Sequence, residues 1–356
     1  MFKGFAIRNF RCFASLCLEQ LDRVNLIAGK NNTGKTALLE ALFLHIGPNS
    51  PHIPINLNAF RGLEQVDVNA EEMWGWMFFN KESKETIELT SRTANDQERK
   101  LKILLAEPVG ETVVASGNGS SKPLPSRGSL TTEGTQRELV LDYEDSTGQK
   151  GISRVELTGL GLKIQQARFK PFPVGVILTT RFWFPREDAE RFSKLEQVGR
   201  QEEVVQILKL LEPRLKRLAV LVSGGVPGIH GDIGIGKLVP LQLMGEGLVR
   251  LLSIVLVIVN APGGTLLVDE VENGLHYSVM KDVWKAIAVA ARQMDVQIFA
   301  TTHSWECIQA AHRAFKESGP YEFRYHRLDR HEESISVKSF DERMLDAVEN
   351  SDLEPR

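Results

Sequence analysis

The chain has 356 residues, 42% apolar and 25% charged, with a formal net charge of -3. This is ordinary for a soluble globular protein, and long enough for two domains or for one large α/β domain with an insertion. A strongly basic nucleic-acid footprint over the whole surface is excluded, while a local basic patch stays open.

Residues 2–28 alternate like a hairpin, through Phe5-Ala6-Ile7, Ser15-Leu16-Cys17-Leu18 and Asn25-Leu26-Ile27. Met1-Phe2-Lys3-Gly4-Phe5 runs into the first strand without a long apolar leader segment. Residues 29–36, Gly29-Lys30-Asn31-Asn32-Thr33-Gly34-Lys35-Thr36, fit the phosphate-binding pattern G-x-x-x-x-G-K-[ST] at every defined position. A short buried strand, Val24 to Ala28, precedes them, and a helix, Thr36 to Phe43, follows and stops near Ile46-Gly47-Pro48. Such a turn aims backbone N–H groups and the positive end of a helix dipole at an anion. Lys35 is expected to reach the β- and γ-phosphates of ATP, and the Thr36 hydroxyl to sit on Mg²⁺. Gly29, Asn31, Asn32, Thr33, Gly34 and Ala37 complete the expected cradle.

Residues 48–80 carry Trp74, Trp76, Phe78 and Phe79, expected as core rather than as a base-stacking platform. Residues 86–90 and 101–105 read as meander strands, 107–137 as a flexible surface loop rich in Gly, Ser, Thr and Pro, and 138–165 again as strands. Together 48–165 form an expected β-rich lobe. Residues 171–178 read as a strand, 186–218 as a two-helix insertion whose mixed Arg, Lys, Glu and Asp mark a solvated face, and 223–238 as tight strand turns. From Gln242 onward helix and strand alternate, as in a parallel α/β core. The apolar run 248–261 contains Arg250 and Ser253, so it reads as a core helix and not a membrane span. Cys12, Cys17 and Cys307 lack metal-ligand spacing and read as buried or partly buried thiols of a reducing cytosol.

Thr265-Leu266-Leu267-Val268-Asp269-Glu270 is an apolar strand ending in two acids. Beside a P-loop, that pattern puts Asp269 in the Mg²⁺ shell and Glu270 next to the water that attacks the γ-phosphate. Val296 to Ser304 is a second buried strand with a polar end, which places His303 to see the same phosphate.

The P-loop, Asp269-Glu270, the string Glu272-Asn273-Gly274-Leu275-His276 and Thr302-His303-Ser304 together resemble the ABC-type ATPases, and more closely the RecF, SMC and OLD ATPase heads. The opening Ile7-Arg8-Asn9-Phe10-Arg11-Cys12-Phe13 looks like the strand those heads carry before the P-loop, and Met244-Gly245-Glu246-Gly247 like a degenerate ABC signature. The resemblance implies an α/β P-loop NTPase fold: a mixed central sheet flanked by helices, an N-terminal antiparallel β subdomain and a helical insertion. The nucleotide-binding core would be 1–47 and 240–310, followed by a hairpin and helix over 311–356. It implies a switch histidine at His303, a D-loop holding Asn273, Gly274 and His276, and a head-to-tail homodimer in which Gly245, Glu246 and Gly247 of one chain cap the nucleotide of the other. The Q-loop glutamine is unassigned between Gln65 and Gln97. The 53 residues after His303 leave room for a hairpin and a helix but not for a Toprim nuclease domain, and the long coiled coil of SMC proteins is missing.

The expected protein is a cytoplasmic, Mg²⁺-dependent ATPase that drives or gates a separate, nuclease-like effector in DNA repair or phage defence. DNA is an open partner and no membrane contact is expected. The alternatives are the nucleotide-binding subunit of an ABC transporter, which Glu246 and the Arg11 strand disfavour, and a non-hydrolysing DNA-binding scaffold, which Glu270 disfavours.

Overall fold

A computed structural model describes residues 1–48, 50–61, 70–107, 137–158, 161–179 and 185–351. The chain opens with β1 (Phe2–Phe10), β2 (Phe13–Glu19), β3 (Val24–Gly29), α1 (Lys35–Ile46), α2 (His52–Phe60) and α3 (Ala70–Trp74). Next come β4 (Ile87–Thr93), β5 (Glu98–Ala106), β6 (Glu138–Asp145), β7 (Lys150–Thr158), β8 (Gly161–Gln165), β9 (Gly175–Leu178), α4 (Pro185–Gln197) and α5 (Gln201–Leu208). The rest runs β10 (Arg217–Ser223), β11 (Val226–Asp232), β12 (Val239–Pro240), α6 (Glu246–Asn260), β13 (Thr265–Val268), α7 (Tyr277–Gln293), β14 (Gln297–Thr301), α8 (Trp305–Glu317), β15 (Phe323–His331), β16 (Ser334–Phe340) and α9 (Glu342–Asn350).

The central sheet has six strands in the order β16-β15-β3-β14-β13-β9. All are parallel except β16, which returns antiparallel beside β15. A second, antiparallel sheet has the order β2-β1-β4-β5-β6-β7-β8, and β10, β11 and β12 form a small third one.

Two cores lie on opposite faces of the central sheet, and strand periodicity sorts residues between them. Leu26, Ala28, Leu178, Leu266, Val268, Ile298 and Ala300 join one core with α4 to α8. Their neighbours Ile27, Ile177, Leu267 and Phe299 join the other, with α1 and the antiparallel sheet. Helix α1 is therefore sandwiched, and its buried positions go nearly all round it, from Ala37 to Ile46. Helix α6 is buried through Leu251, Leu252, Ile254 and Val255, each burial being worth about 1.5–3 kcal/mol.

The structure corrects several expectations. The hairpin reading of 2–28 holds for β1 and β2 but not for β3, which pairs parallel with β14 and β15. Every residue of β3 is buried, and a strand without a polar face belongs in a parallel core. Helix in the 186–218 segment ends at Leu208, and Arg217 opens β10 instead. The aromatic cluster divides: Trp74 and Phe78 are buried, whereas Trp76 is 58% exposed. Cys17 is exposed, while burial pushes the Cys307 thiol up to about 12. The segment 107–137, apart from its two ends, lies outside the described residues.

Candidate active site

Strand β3 ends at Gly29, and the loop from there to Gly34 caps α1. Two glycines make the turn possible. A Cβ on Gly29 would stand 2.5 Å from the Leu328 carbonyl oxygen, and one on Gly34 would stand 2.6 Å from the Phe13 ring at a φ of +91°. The Thr33 hydroxyl closes the loop by donating to the Lys30 carbonyl at 2.9 Å. Lys35 Nζ donates to the carbonyls of Gly29 at 2.8 Å and Lys30 at 2.9 Å, so the side chain lies folded along the loop. Burial pulls its pKa below the ordinary lysine value, against the opposing pull of Asp269, Glu270 and Glu272.

Thr36 Oγ1 donates to Asp269 Oδ2 at 3.1 Å, which joins the loop to the end of β13. The other Asp269 oxygen accepts the Thr301 hydroxyl at 2.6 Å, and Thr301 Oγ1 accepts the Glu270 N–H at 2.8 Å. Glu270 has a φ of +51°, a left-handed conformation that a residue with a long side chain seldom takes. Its carboxylate accepts from Asn273 Nδ2 at 2.9 Å and lies 3.7 Å from His303 Nε2. The His303 N–H donates to Glu272 Oε1 at 2.7 Å. Behind these acids lies Arg250, which donates to the carbonyls of Asp269 and Thr179. Burial lowers its pKa, and the site carboxylates, Asp269 first, oppose that shift.

Of the signature-like residues, Gly245 caps α6 at a φ of +120° and is exposed together with Glu246. Gly247 is buried and has a local role that was not evident in the sequence. A Cβ there would stand 2.2 Å from the Gly274 carbonyl oxygen, so α6 and the turn after β13 touch backbone to backbone. His276 caps α7, its Nδ1 taking the Ser278 N–H at 3.4 Å. Of the two Q-loop candidates, Gln65 lies outside the described residues and Gln97 sits in the β4–β5 turn, outside the residues that line the cleft.

Asn31, Asn32, Gly34, Lys35, Thr36, Ala37 and His303 line a cleft of about 900 Å³. Arg11, Arg61 and Arg330 line it as well. Arg330 Nη1 donates to the Asn32 carbonyl at 3.1 Å, and Arg11 and Arg61 share the buried Glu40 of α1. Thr301, Arg250, Arg61 and Arg330 are the residues that sequence reasoning missed. They sit beside the motifs only through strand pairing and helix packing, and no local pattern marks them. A hydroxyl and a carboxylate 3.1 Å apart form a hard-oxygen donor pair that fits Mg²⁺, which takes one or two carboxylates beside the phosphates of its substrate. Among the described residues, no cluster of three or more His, Cys, Asp or Glu is gathered to hold a metal by itself.

A mixed sheet with a Gly-rich turn into α1, and acids at the carboxyl end of the neighbouring parallel strands, defines a P-loop ATPase head of the ABC type. The chain belongs to the family described as "AAA domain, putative AbiEii toxin, Type IV TA system", whose profile matches residues 24–306. It is 25% identical over 334 residues to the ATP/GTP phosphatase of Helicobacter pylori, covering 89% of both chains. In fold it is similar to an SMC head bound to the C-winged helix domain of ScpA, with a TM-score of 0.51 and 12% identity over 96% of this chain and 97% of that one. A second similar structure is an Smc head with an extended coiled coil bound to the C-terminal domain of ScpA derived from Pyrococcus furiosus, with a TM-score of 0.50 and 10% identity over 99% of each chain. Among the described residues, no helix is long and apolar enough to cross a membrane.

Proposed function

We propose that the protein is an ATPase that binds ATP with Mg²⁺ on the P-loop, dimerises head-to-tail on ATP and relays hydrolysis to a separate effector. The contact between Thr36 and Asp269, 3.1 Å apart in space and 233 residues apart in the chain, supports the ATP and Mg²⁺ part of this reading. In it the loop N–H groups, the α1 dipole and Lys35 hold the β- and γ-phosphates. Bound Mg²⁺ would be held by Thr36 and Asp269 and would neutralise charge on the phosphate oxygens. Glu270 accepts a hydrogen bond from the water that attacks the γ-phosphorus. The bond from that phosphorus to the bridging oxygen breaks, and ADP and phosphate leave. Asn273 holds the Glu270 carboxylate in place, and His303 donates toward the γ-phosphate. The relative named ATP/GTP phosphatase supports nucleotide hydrolysis.

Exposed Gly245 and Glu246 at the start of α6 support capping of a partner's nucleotide, because the helix dipole there favours an anion. The SMC heads similar in fold carry ScpA domains, which supports output through a separate protein. The family's Type IV TA description supports a setting in phage defence, with DNA repair the setting implied by the RecF likeness.

Glu270→Gln tests the reading. It should keep ATP binding, lose turnover about a hundredfold or more, and double its mass in light scattering when ATP is added. Lys35→Ala, which removes the phosphate-holding charge, should show neither binding nor the mass change. Wild-type turnover in Glu270→Gln would overturn the water-positioning role, and a mass unchanged by ATP would overturn the dimer.

A further inference from the structure

The cleft has two chemically different ends. One is the P-loop with Lys35, Thr36 and His303, and the other is built by Trp76, Phe78, Phe79, Asn80 and Lys81, just beyond α3. That second segment is fixed to the β1–β2 turn. The Arg11 N–H donates to the Met77 carbonyl at 2.8 Å, Arg11 Nη1 to the Trp76 carbonyl at 3.2 Å, and the Phe79 N–H to Asn9 Oδ1 at 3.2 Å. Phe10 and Phe78 form an isolated bridge. Trp74, Met77 and Phe78 are buried in the core, Phe79 is half-buried, and Trp76 is 58% exposed and lines the cleft. Lys81 Nζ lies 4.5 Å from its ring centre and is steadied by Glu72 at 3.6 Å, so a cation covers one face of the indole. Asn80, in a left-handed turn at a φ of +51°, lines the cleft beside it.

An exposed indole held by a rigid backbone costs burial energy unless something covers it. Here a ligand that puts its phosphates on the P-loop has its other end in the same cleft. We propose that Trp76 is the platform on which the base of a purine nucleoside triphosphate stacks, on the indole face that Lys81 leaves open. Asn80 supplies an amide that can pair with the donor and acceptor edge of the base. The aromatic run therefore serves both roles: Trp74 and Phe78 fill the core, and Trp76 binds the base. This inference rests on the nucleotide reading above and adds the base subsite to it.

The test titrates the purified full chain by calorimetry with two probes, a β,γ-imido analogue of ATP and inorganic tripolyphosphate, each with Mg²⁺. The wild type should bind the analogue more tightly than tripolyphosphate. Trp76→Ala should weaken the analogue about tenfold to a hundredfold, the usual scale for one base–aromatic stack, and leave tripolyphosphate unchanged. Trp76→Phe should restore most of the loss. Equal binding of the analogue by wild type and Trp76→Ala would overturn the platform while leaving the P-loop site intact. Loss of both probes in Trp76→Ala would make the residue structural and overturn it too. If the wild type binds neither probe, the nucleotide reading itself falls, and the base subsite falls with it.

Discussion

Thr301→Val removes one hydroxyl and little else. Valine keeps the β-branch and suits the last position of β14. This position is closed to solvent, Thr301 being 0% exposed. The hydroxyl donates to Asp269 at 2.6 Å and accepts the Glu270 N–H at 2.8 Å, so its loss takes one bond from a carboxylate and leaves an N–H without its acceptor. A hydrogen bond to a charged group is worth about 1.5–3 kcal/mol, and a buried unsatisfied N–H costs about 1–3 kcal/mol. The added methyl returns about 0.8 kcal/mol of apolar burial. The expected net loss is about 3 kcal/mol, a drop in Tm of roughly 4 °C for a chain of this size. Turnover should fall tenfold or more, because Asp269 can then rotate off Thr36 and the left-handed Glu270 loses the bond that fixes its backbone. Scanning calorimetry and a phosphate-release assay measure the two effects. Thr301→Ser keeps the hydroxyl, and it should lose only about 1 kcal/mol for the missing methyl and keep its turnover. If Thr301→Val melts and turns over like Thr301→Ser, the hydroxyl does not hold the two acids and the reasoning fails.

Two further outcomes are expected. Gly247→Ala puts a Cβ 2.2 Å from a backbone carbonyl that cannot swing away, so α6 must shift. It should destabilise the protein by about 2 kcal/mol or more, read as a lower Tm, and an unchanged Tm would show that α6 and the Gly274 turn are not in contact in solution. His45 and His326 are buried, and burial pushes both from 6.5 down to about 3. Between those values the unfolded chain binds protons that the native chain does not, so stability is full above pH 6.5 and falls as the pH drops toward 3. Each histidine should cost about 1.4 kcal/mol per pH unit, or about 2 kcal/mol at pH 5. His45→Asn removes one of these proton sites. The gap in Tm between wild type and His45→Asn should therefore narrow from pH 7.5 to pH 5, and an equal gap at both would refute the assignment.

Some of the site was legible because its physics is local. Residues 29–36 set a turn through a few dihedrals, and two of its glycines stand where a Cβ would meet Leu328 or Phe13. The strand before Asp269 and Glu270, and the one before His303, show their burial in the short apolar runs Leu266-Leu267-Val268 and Ile298-Phe299-Ala300, which is how strands covered on both faces read. The mixed sheet flanked by helices, with an antiparallel sheet beside it, followed from the order of those runs and from the likeness of the motifs to ATPase heads.

What the tertiary structure alone decided is what meets across the sheet. Strand β3 looked like the third strand of a hairpin, yet it sits between β14 and β15. That placement brings Arg330 to Asn32, 298 residues away. Thr301 reaches Asp269 because β13 and β14 pair in a register that sets Val268 beside Ala300. Gly247 closes on Gly274 only once α6 is packed against the turn after β13. Trp76 and Trp74 are alike in composition and neighbourhood, and the fold buries one and opens the other to the cleft. A sequence window carries the preferences of one segment. Register and the crossing of one segment over another come from burying many segments at once, so these contacts have no signature within any single stretch of the chain.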